Sequence, residues 1–440
     1  MQTPKPSRNW GAGVLIALGL FVIYFAGIGS YPLVDPDEPV YAQIAREMTV
    51  SGHWGTPHYW GSVWFDKPPM YYWLAASCMR VLGVSELSAR LPSAIAALAV
   101  VALTYLLGLR AFGRPAGIAA GLVVATSLQQ IVLARSSVTD MTLTAFLVGS
   151  LYCFIRWMHD ERPVWLWSAS CGACMGAAAL TKGPVAFVLL PVTFLVYAIW
   201  TKSLRVLFSR WLAVCVIGAL AVAVPWYANM LSMHREEFTK QFVLANNLER
   251  FLKPEHKSST GAWYSYSMNF PVLLGFFFPW SCLLPQAIVV VGRKNNCARL
   301  CVAWAAVVFV FFSLSKTQLP TYIFPMYAAC AVLVGAYLSE WTNNKALNKG
   351  LRGGLIAALA MSVGIAYFLL RAAQGKYPDA AVIALVLGAV LVLTMALALF
   401  ACGSAKWRYR TPWLIAGGMV VFAVLIVYGV APVASVQFSG

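Results

Sequence analysis

The stretch AAVIALVLGAVLVLTMALALFAC, from Ala380 to Cys402, decides the fold. It holds 23 residues and no charge. About 20 apolar residues carry an α-helix across roughly 30 Å of hydrocarbon. Outward from it, comparable runs recur over the whole 440-residue chain. Spans are expected at 11–29, 89–109, 115–134, 138–157, 163–181, 184–200, 207–230, 267–290, 299–314, 319–339, 353–371, 379–402 and 412–432. Composition agrees: 60% of residues are hydrophobic, 11% are charged and mean hydropathy is +0.73. Soluble domains carry about 25% charged residues, so water-soluble globular classes are excluded. A transmembrane barrel would show short alternating strands instead. The expectation is an all-α polytopic membrane protein of about thirteen transmembrane helices, one domain over 1–440. Long loops are expected at 30–88 and 231–266, with no soluble domain after the last span. The first apolar stretch has no small-residue cleavage site and reads as a retained span.

Charge fixes the orientation. With the N-terminus inside, 18 of the 32 basic residues but only three of the 15 acidic ones fall on inside segments. Basic residues retained on the cytoplasmic side are the usual topology signal. The formal charge of +17 is therefore topology and not a nucleic-acid footprint. The ten cysteines sit in or beside apolar helices and read as small core thiols. Cys171 and Cys174 form a CxxC without a second pair or a nearby histidine, which is weak support for a metal.

Polar residues collect in the first outer loop, 30–88. Its first half carries Asp35, Asp37 and Glu38, followed by Tyr41, Ile44, Ala45 and Met48 at helical spacing. An acid and a proline in the first turn mark the start of a short surface helix. One acid there would be an N-cap. Three within four residues beside an apolar membrane point to function, because an unpaired acid at the bilayer boundary is costly. Further on, Trp54, Tyr59, Trp60, Trp64, Tyr71, Tyr72 and Trp73 read mainly as an interfacial aromatic belt. Asp66-Lys67-Pro68-Pro69 is different, since it pairs opposite charges in a rigid turn. His53 and His58 read as interfacial polar tips, lacking partners at ligand spacing.

Other outer corners add single ionisable groups: Asp140 at the start of a span, Lys182 in Leu180-Thr-Lys-Gly-Pro184, Arg250 in the second long loop, and Lys316 and Tyr322 around Thr317-Gln-Leu-Pro-Thr321. Each alone reads as a snorkelling or capping residue. Together they set cations and phenols, which a phosphate needs, beside carboxylates, which an attacking hydroxyl needs.

At these residues the sequence resembles the polyprenyl-phosphate-dependent glycosyltransferases of GT-C fold. That family includes the aminoarabinose transferases that modify lipid A and, more distantly, the protein O-mannosyltransferases. The resemblance runs from about Leu33 to Tyr327. It is carried by Asp35-Pro-Asp-Glu-Pro-Val-Tyr41 through Met48, Phe65-Asp-Lys-Pro-Pro69, Ala89-Arg-Leu-Pro-Ser93, Thr139-Asp140, Leu180-Thr-Lys-Gly-Pro184, Pro279-Trp280 and Ser313-Leu-Ser-Lys-Thr-Gln-Leu-Pro-Thr-Tyr322. It implies an inverting transferase that moves a sugar from an undecaprenyl phosphate carrier. The acceptor implied is lipid A at the periplasmic face of a bacterial inner membrane, with a protein or another envelope glycan as alternatives. By resemblance, Asp37 is the essential carboxylate and Asp140 a second catalytic acid. Lys67, Lys182, Arg250, Tyr322 and Tyr41 face the carrier phosphate, and Asp35, Glu38, Asp66 and Lys316 support them.

Three departures from the family pattern bear on specificity. Val40 replaces the arginine usual in aminoarabinose transferases. Asn246-Asn247-Leu248 replaces Glu-His-Asn-Leu, so a histidine available to a divalent metal is missing unless His256 substitutes, and no cofactor is called for. The soluble outer domain common at the family's C-terminus is not expected. Nor does the sequence name the transferred sugar. The rival class, a lipid-linked sugar transporter or flippase, calls for an internal repeat and paired polar sites near the midplane; the charges here gather on one face and no repeat is visible. A scaffold without catalysis leaves the ionisable groups of the outer face unexplained.

Overall fold

The computed structural model describes residues 10–34, 36–159, 162–249, 268–376, 381–404 and 406–430. The chain folds as α1 (Trp10–Tyr24), α2 (Asp37–Ser51), α3 (Met70–Leu82), α4 (Glu86–Phe112), α5 (Arg114–Ala125) and α6 (Leu128–Ala134). Next come α7 (Thr139–Met158), α8 (Val164–Lys182), α9 (Val185–Trp200), α10 (Arg210–Phe238), α11 (Asn269–Phe276) and α12 (Leu284–Val291). The last are α13 (Asn296–Leu314), α14 (Tyr327–Asn343), α15 (Asn348–Lys376), α16 (Ala381–Gly403) and α17 (Thr411–Leu425). Local sequence sets the boundaries. Ser85 and Ser88 close a capping box at the head of α4, and Asn295 accepts the Ala298 N–H at 2.8 Å to start α13. Gly183 adopts φ 88° between α8 and α9, a left-handed value that ends one span and frees the next.

Among the described residues, eight helices are long and apolar enough to cross a membrane, or up to ten if each of two bent pairs is one span. The protein is therefore a multi-pass membrane protein. Helix occupies part of every stretch expected to span, but not always as one straight rod. α1, α9 and α14 are shorter than 18 residues, so a count of thirteen full-length spans is not reached on length alone. α5 and α6 bend by 64° at Thr126-Ser127, whose hydroxyls donate to the Leu122 and Val124 carbonyls. The stretch expected at 267–290 turns through 106° at Pro279, which has no N–H to continue a helix. Trp280 Nε1 donates to Thr126 Oγ1 at 3.1 Å and ties the two bends together. The stretch expected from 319 becomes helix only at Tyr327, because Pro320 and Pro325 break the preceding turns. That leaves Tyr322 on a loop.

α14 lies at the centre, nearly every side chain buried among α4, α5, α12 and α13. α16 shows the opposite face of the same chemistry: Val382, Leu385, Leu393, Leu397 and Phe400 are exposed, as a lipid-facing wall requires. The loop 30–88 is largely helical but contains one two-stranded hairpin, His58–Tyr59 with Ser62–Val63. Trp60 and Gly61 turn it with φ 52° and 76°, and Glu47 of α2 accepts both of their N–H groups. The start of the second expected loop, 231–249, is helical, with a non-helical break at Arg235 and π-helical geometry from Thr239 to Glu249.

Without a hydrophobic drive inside lipid, helices associate by close packing of small residues. Gly172 and Gly176 of α8, four apart, press on α10. A Cβ added at Gly172 would meet the Cys215 carbonyl oxygen at 1.8 Å, and one at Gly176 the Ala219 carbonyl at 2.5 Å. The CxxC of the same helix is therefore packing. All ten cysteines are free thiols, with Cys171 against Ser150 and Cys174 against Gly149. Gly172→Leu should destabilise the fold at or above the top of the roughly 1–3 kcal/mol range for overpacking. The readout is a lowered unfolding temperature and folded yield in detergent, with Val188→Leu on the exposed face of α9 as the neutral control; equal stability of both variants would contradict this packing.

Candidate active site

Asp37 opens α2 as its first residue. The cap position is held by Pro36, which makes no side-chain cap, so Asp37 is not an N-cap and its side chain is exposed. A carboxylate in a first helical turn is favoured by the unpaired N–H groups around it. Glu38 turns the other way, into the protein, and is 3% exposed. It accepts Arg90 Nε and Nη2 at 2.9 Å each, the Ser137 N–H at 2.5 Å and the Val34 N–H at 3.1 Å. Arg90, fully buried, also donates to the carbonyls of Ile28, Tyr31 and Pro32 and lies 4.0 Å from the Tyr31 ring centroid.

One turn further along α2, Tyr41 packs between Tyr71 and Tyr72 of α3, with ring centroids 6.3 and 5.7 Å away. Burial pushes the Tyr41 phenol well above its ordinary pKa. Tyr72 and the carboxylates of Asp37, Asp66 and Asp140 push it further the same way. Three acids, two of them remote in sequence, thus act on one buried phenol, which stays protonated and able to donate. Tyr72 is raised likewise, by burial first and then by Asp66 and Asp37 among its neighbours.

Two lysines complete the cluster. Lys67 Nζ donates to both oxygens of Asp66 at 2.8 Å. Lys182, in the last turn of α8, donates to Asp140 Oδ1 in the first turn of α7 at 2.5 Å. The same ammonium stands 4.8 Å from the centroid of the Tyr322 ring. Both pairs are mostly buried, with side-chain exposures of 11% and 24% for Lys67 and Asp66 and 15% and 12% for Lys182 and Asp140. Buried ion pairs are at best weakly stabilising, so their gathering here points to use more than to stability. Asn246 reaches in from the π-helical segment, donating to the Phe65 carbonyl at 3.4 Å.

The structure thus brings together Asp37, Tyr41, Asp66, Lys67, Asp140, Lys182 and Tyr322. Lys316 is exposed on the loop that carries Tyr322. Asp35, Arg250 and His256 lie outside the described residues. Among the described residues no group of three His, Cys, Asp or Glu side chains is placed to hold a metal ion. An apolar cleft of about 490 Å³ is lined by Val34, Leu128, Ile131 and Ile426 with Arg135 and Glu38, and by none of Asp37, Lys67, Asp140, Lys182 and Tyr322.

Three contributors escape a residue-by-residue reading. Tyr72 was one ring among many in the aromatic belt. Gln129 donates to the Pro320 carbonyl at 2.7 Å and so steadies the Tyr322 loop, which its place in an apolar run does not announce. Arg90 did carry a signal: a lone cation inside an apolar helix requires a buried partner.

Comparison with known proteins identifies the family. Residues 66–228 match the family described as dolichyl-phosphate-mannose-protein mannosyltransferase. An undecaprenyl phosphate-alpha-4-amino-4-deoxy-L-arabinose arabinosyl transferase of Pseudomonas fluorescens is 31% identical over 379 residues, covering 83% of this chain and 67% of that protein. The chain belongs to the aminoarabinose transferase family. The family member of Pseudomonas aeruginosa is 30% identical over 411 residues, 90% of this chain and 71% of its own length. The chain spans 58% to 72% of the length of the named family members it matches. The crystal structure of ArnT from Cupriavidus metallidurans bound to undecaprenyl phosphate superposes with a TM-score of 0.82 at 27% identity, covering 97% of this chain and 78% of that one. The fold is GT-C and the protein is a polyprenyl-phosphate-sugar-dependent glycosyltransferase, not a transporter.

Tyr41→Phe should lower transfer by the same factor at every pH between about 6 and 9, because a phenol raised above its ordinary value of roughly 10 is protonated throughout. Initial rates of both proteins across that range test it. A ratio that drifts with pH would show the phenol ionising.

Proposed function

We propose that this member of the family transfers a sugar of the aminoarabinose type from undecaprenyl phosphate to lipid A, at the periplasmic face of a bacterial inner membrane. The observation that carries the reading is the pair of mostly buried lysine–carboxylate contacts, Lys67 on Asp66 and Lys182 on Asp140, with the Tyr322 ring beside Lys182. The carrier's prenyl tail would lie along the apolar helices. Its phosphate would sit between Lys67, Lys182 and Tyr322, with Arg250 added from the second loop.

In the reaction the acceptor oxygen bonds to the anomeric carbon as the bond from that carbon to the phosphate oxygen breaks, inverting the centre. The leaving group is the carrier phosphate, on which a second negative charge develops. Lysines fixed in a water-poor site stabilise that charge without reorganisation at the moment of reaction. An ammonium has three N–H donors, so one lysine serves a carboxylate and a phosphate oxygen together. Tyr41 and Tyr322 supply neutral donors. Asp37, exposed at the head of α2, takes the proton of an acceptor hydroxyl, or orients an acceptor that is already a phosphate. Asp140, held by Lys182, orients the nucleophile. Asp66 holds Lys67 in place, and Lys316 adds positive potential at the rim.

The test is reconstitution of the purified protein with a radiolabelled undecaprenyl-phosphate sugar and lipid A. Label should move to lipid A. Label that stays on the carrier in the presence of lipid A, and moves instead to a protein or another envelope glycan, would overturn the acceptor assignment. Asp37→Asn should abolish transfer while donor binding and folding persist; an active variant would remove Asp37 from the chemistry. Lys67→Ala and Lys182→Ala should each weaken donor binding about 10- to 100-fold, as loss of a charged hydrogen bond worth roughly 1.5–3 kcal/mol requires. Unchanged donor affinity with normal stability would make both lysines structural.

A further inference from the structure

We infer that Glu38 and Arg90 form a positioning device that sets the distance between Asp37 and Asp140. This rests on the functional reading above and adds residues that do not themselves touch substrate. Glu38 is the covalent neighbour of Asp37, so whatever holds its carboxylate holds the first turn of α2. Its Oε1 accepts from Arg90 Nε and from the N–H of Ser137, three residues before Asp140. Its Oε2 accepts from Arg90 Nη2 and from the N–H of Val34, three residues before Asp37. One carboxylate therefore joins the segment leading into α7 to the segment leading into α2.

Arg90 extends the same clamp. Its three donations to the Ile28, Tyr31 and Pro32 carbonyls fix the connection from α1, and its stem is anchored in α4. Tyr71 of α3 adds a second tie, its hydroxyl donating to the Ala89 carbonyl at 3.0 Å and lying 3.2 Å from Ser137 Oγ. The pair is nearly shut off from solvent, with side-chain exposures of 0% for Arg90 and 4% for Glu38. A buried pair of this kind is often replaceable by apolar residues without loss of stability. What apolar residues cannot reproduce is four directed hydrogen bonds to a single carboxylate. The lysine backbones, in contrast, are set by α8 and by the Asp66-Lys67 turn, and the pair reaches Lys182 through the Asp140 carboxylate that this lysine binds. Disturbing the pair is thus expected to act chiefly on the acids and, through Asp140 and Tyr41, only weakly on the donor site.

Glu38→Asp tests this. It keeps the charge and shortens the side chain by one methylene, so it cannot reach Arg90 and the Ser137 N–H together. The variant should fold and insert normally, keep donor KM and donor affinity within about threefold, and lose kcat by about 10²-fold, the scale of a 1 Å misplacement. Arg90→Lys, which loses the fork but keeps the charge, should show the same split between kcat and KM. Where either variant folds poorly, kcat per folded molecule from the detergent-soluble monomeric fraction decides. Wild-type kcat in the folded fraction of both, or kcat and donor affinity falling together, would overturn the inference. If Asp37→Asn is inactive while these two variants are fully active, only the positioning role fails; if Asp37→Asn is active, the reading beneath it fails too.

Discussion

An ionised side chain beside hydrocarbon must find its counter-charge inside the protein, and the structure is organised by that constraint. Glu38 finds Arg90, Asp66 finds Lys67, and Asp140 finds Lys182. Two of the pairs cross between helices, Glu38–Arg90 from α2 to α4 and Asp140–Lys182 from α7 to α8, and the third stays within one turn. The pairs differ in burial, and the difference separates their work. The Glu38–Arg90 pair is sealed and directional, suited to holding backbone. The two lysine pairs keep a little solvent access, suited to receiving a charged headgroup.

Much of the fold was legible because lipid leaves the backbone few options. Uninterrupted apolar runs such as 380–402 had to be helices, and α16 is one. What periodicity could not supply was bending. The stretches at 115–134 and 267–290 have the composition of straight spans but turn through 64° and 106°, since side-chain hydroxyls and a proline take over from the helical hydrogen bonds. The start of α14 shifted for a related reason: two prolines in an apolar setting convert the beginning of a span into the loop that presents Tyr322.

The candidate site residues stand out in the sequence, and their geometry does not. Asp37, Lys67, Asp140 and Lys182 stand out as charges at membrane depth, and the family resemblance orders them. Their pairings are a matter of three dimensions: Lys182 lies 42 residues from Asp140, and Glu38 lies 52 from Arg90. The role of Glu38 was the hardest to read, because an acid next to an acid looks like a second copy of the same function. Only the inward turn of its side chain separates it from Asp37.

The central claim is that these groups surround one carrier headgroup. An experimental structure of the protein with undecaprenyl phosphate bound tests it most directly. The account places the phosphate within about 4 Å of the ammonium groups of Lys67 and Lys182, with the Asp37 carboxylate facing the open side where an acceptor would arrive. A phosphate seated elsewhere, as in the cleft beside Arg135, with neither lysine in contact with it, would contradict it.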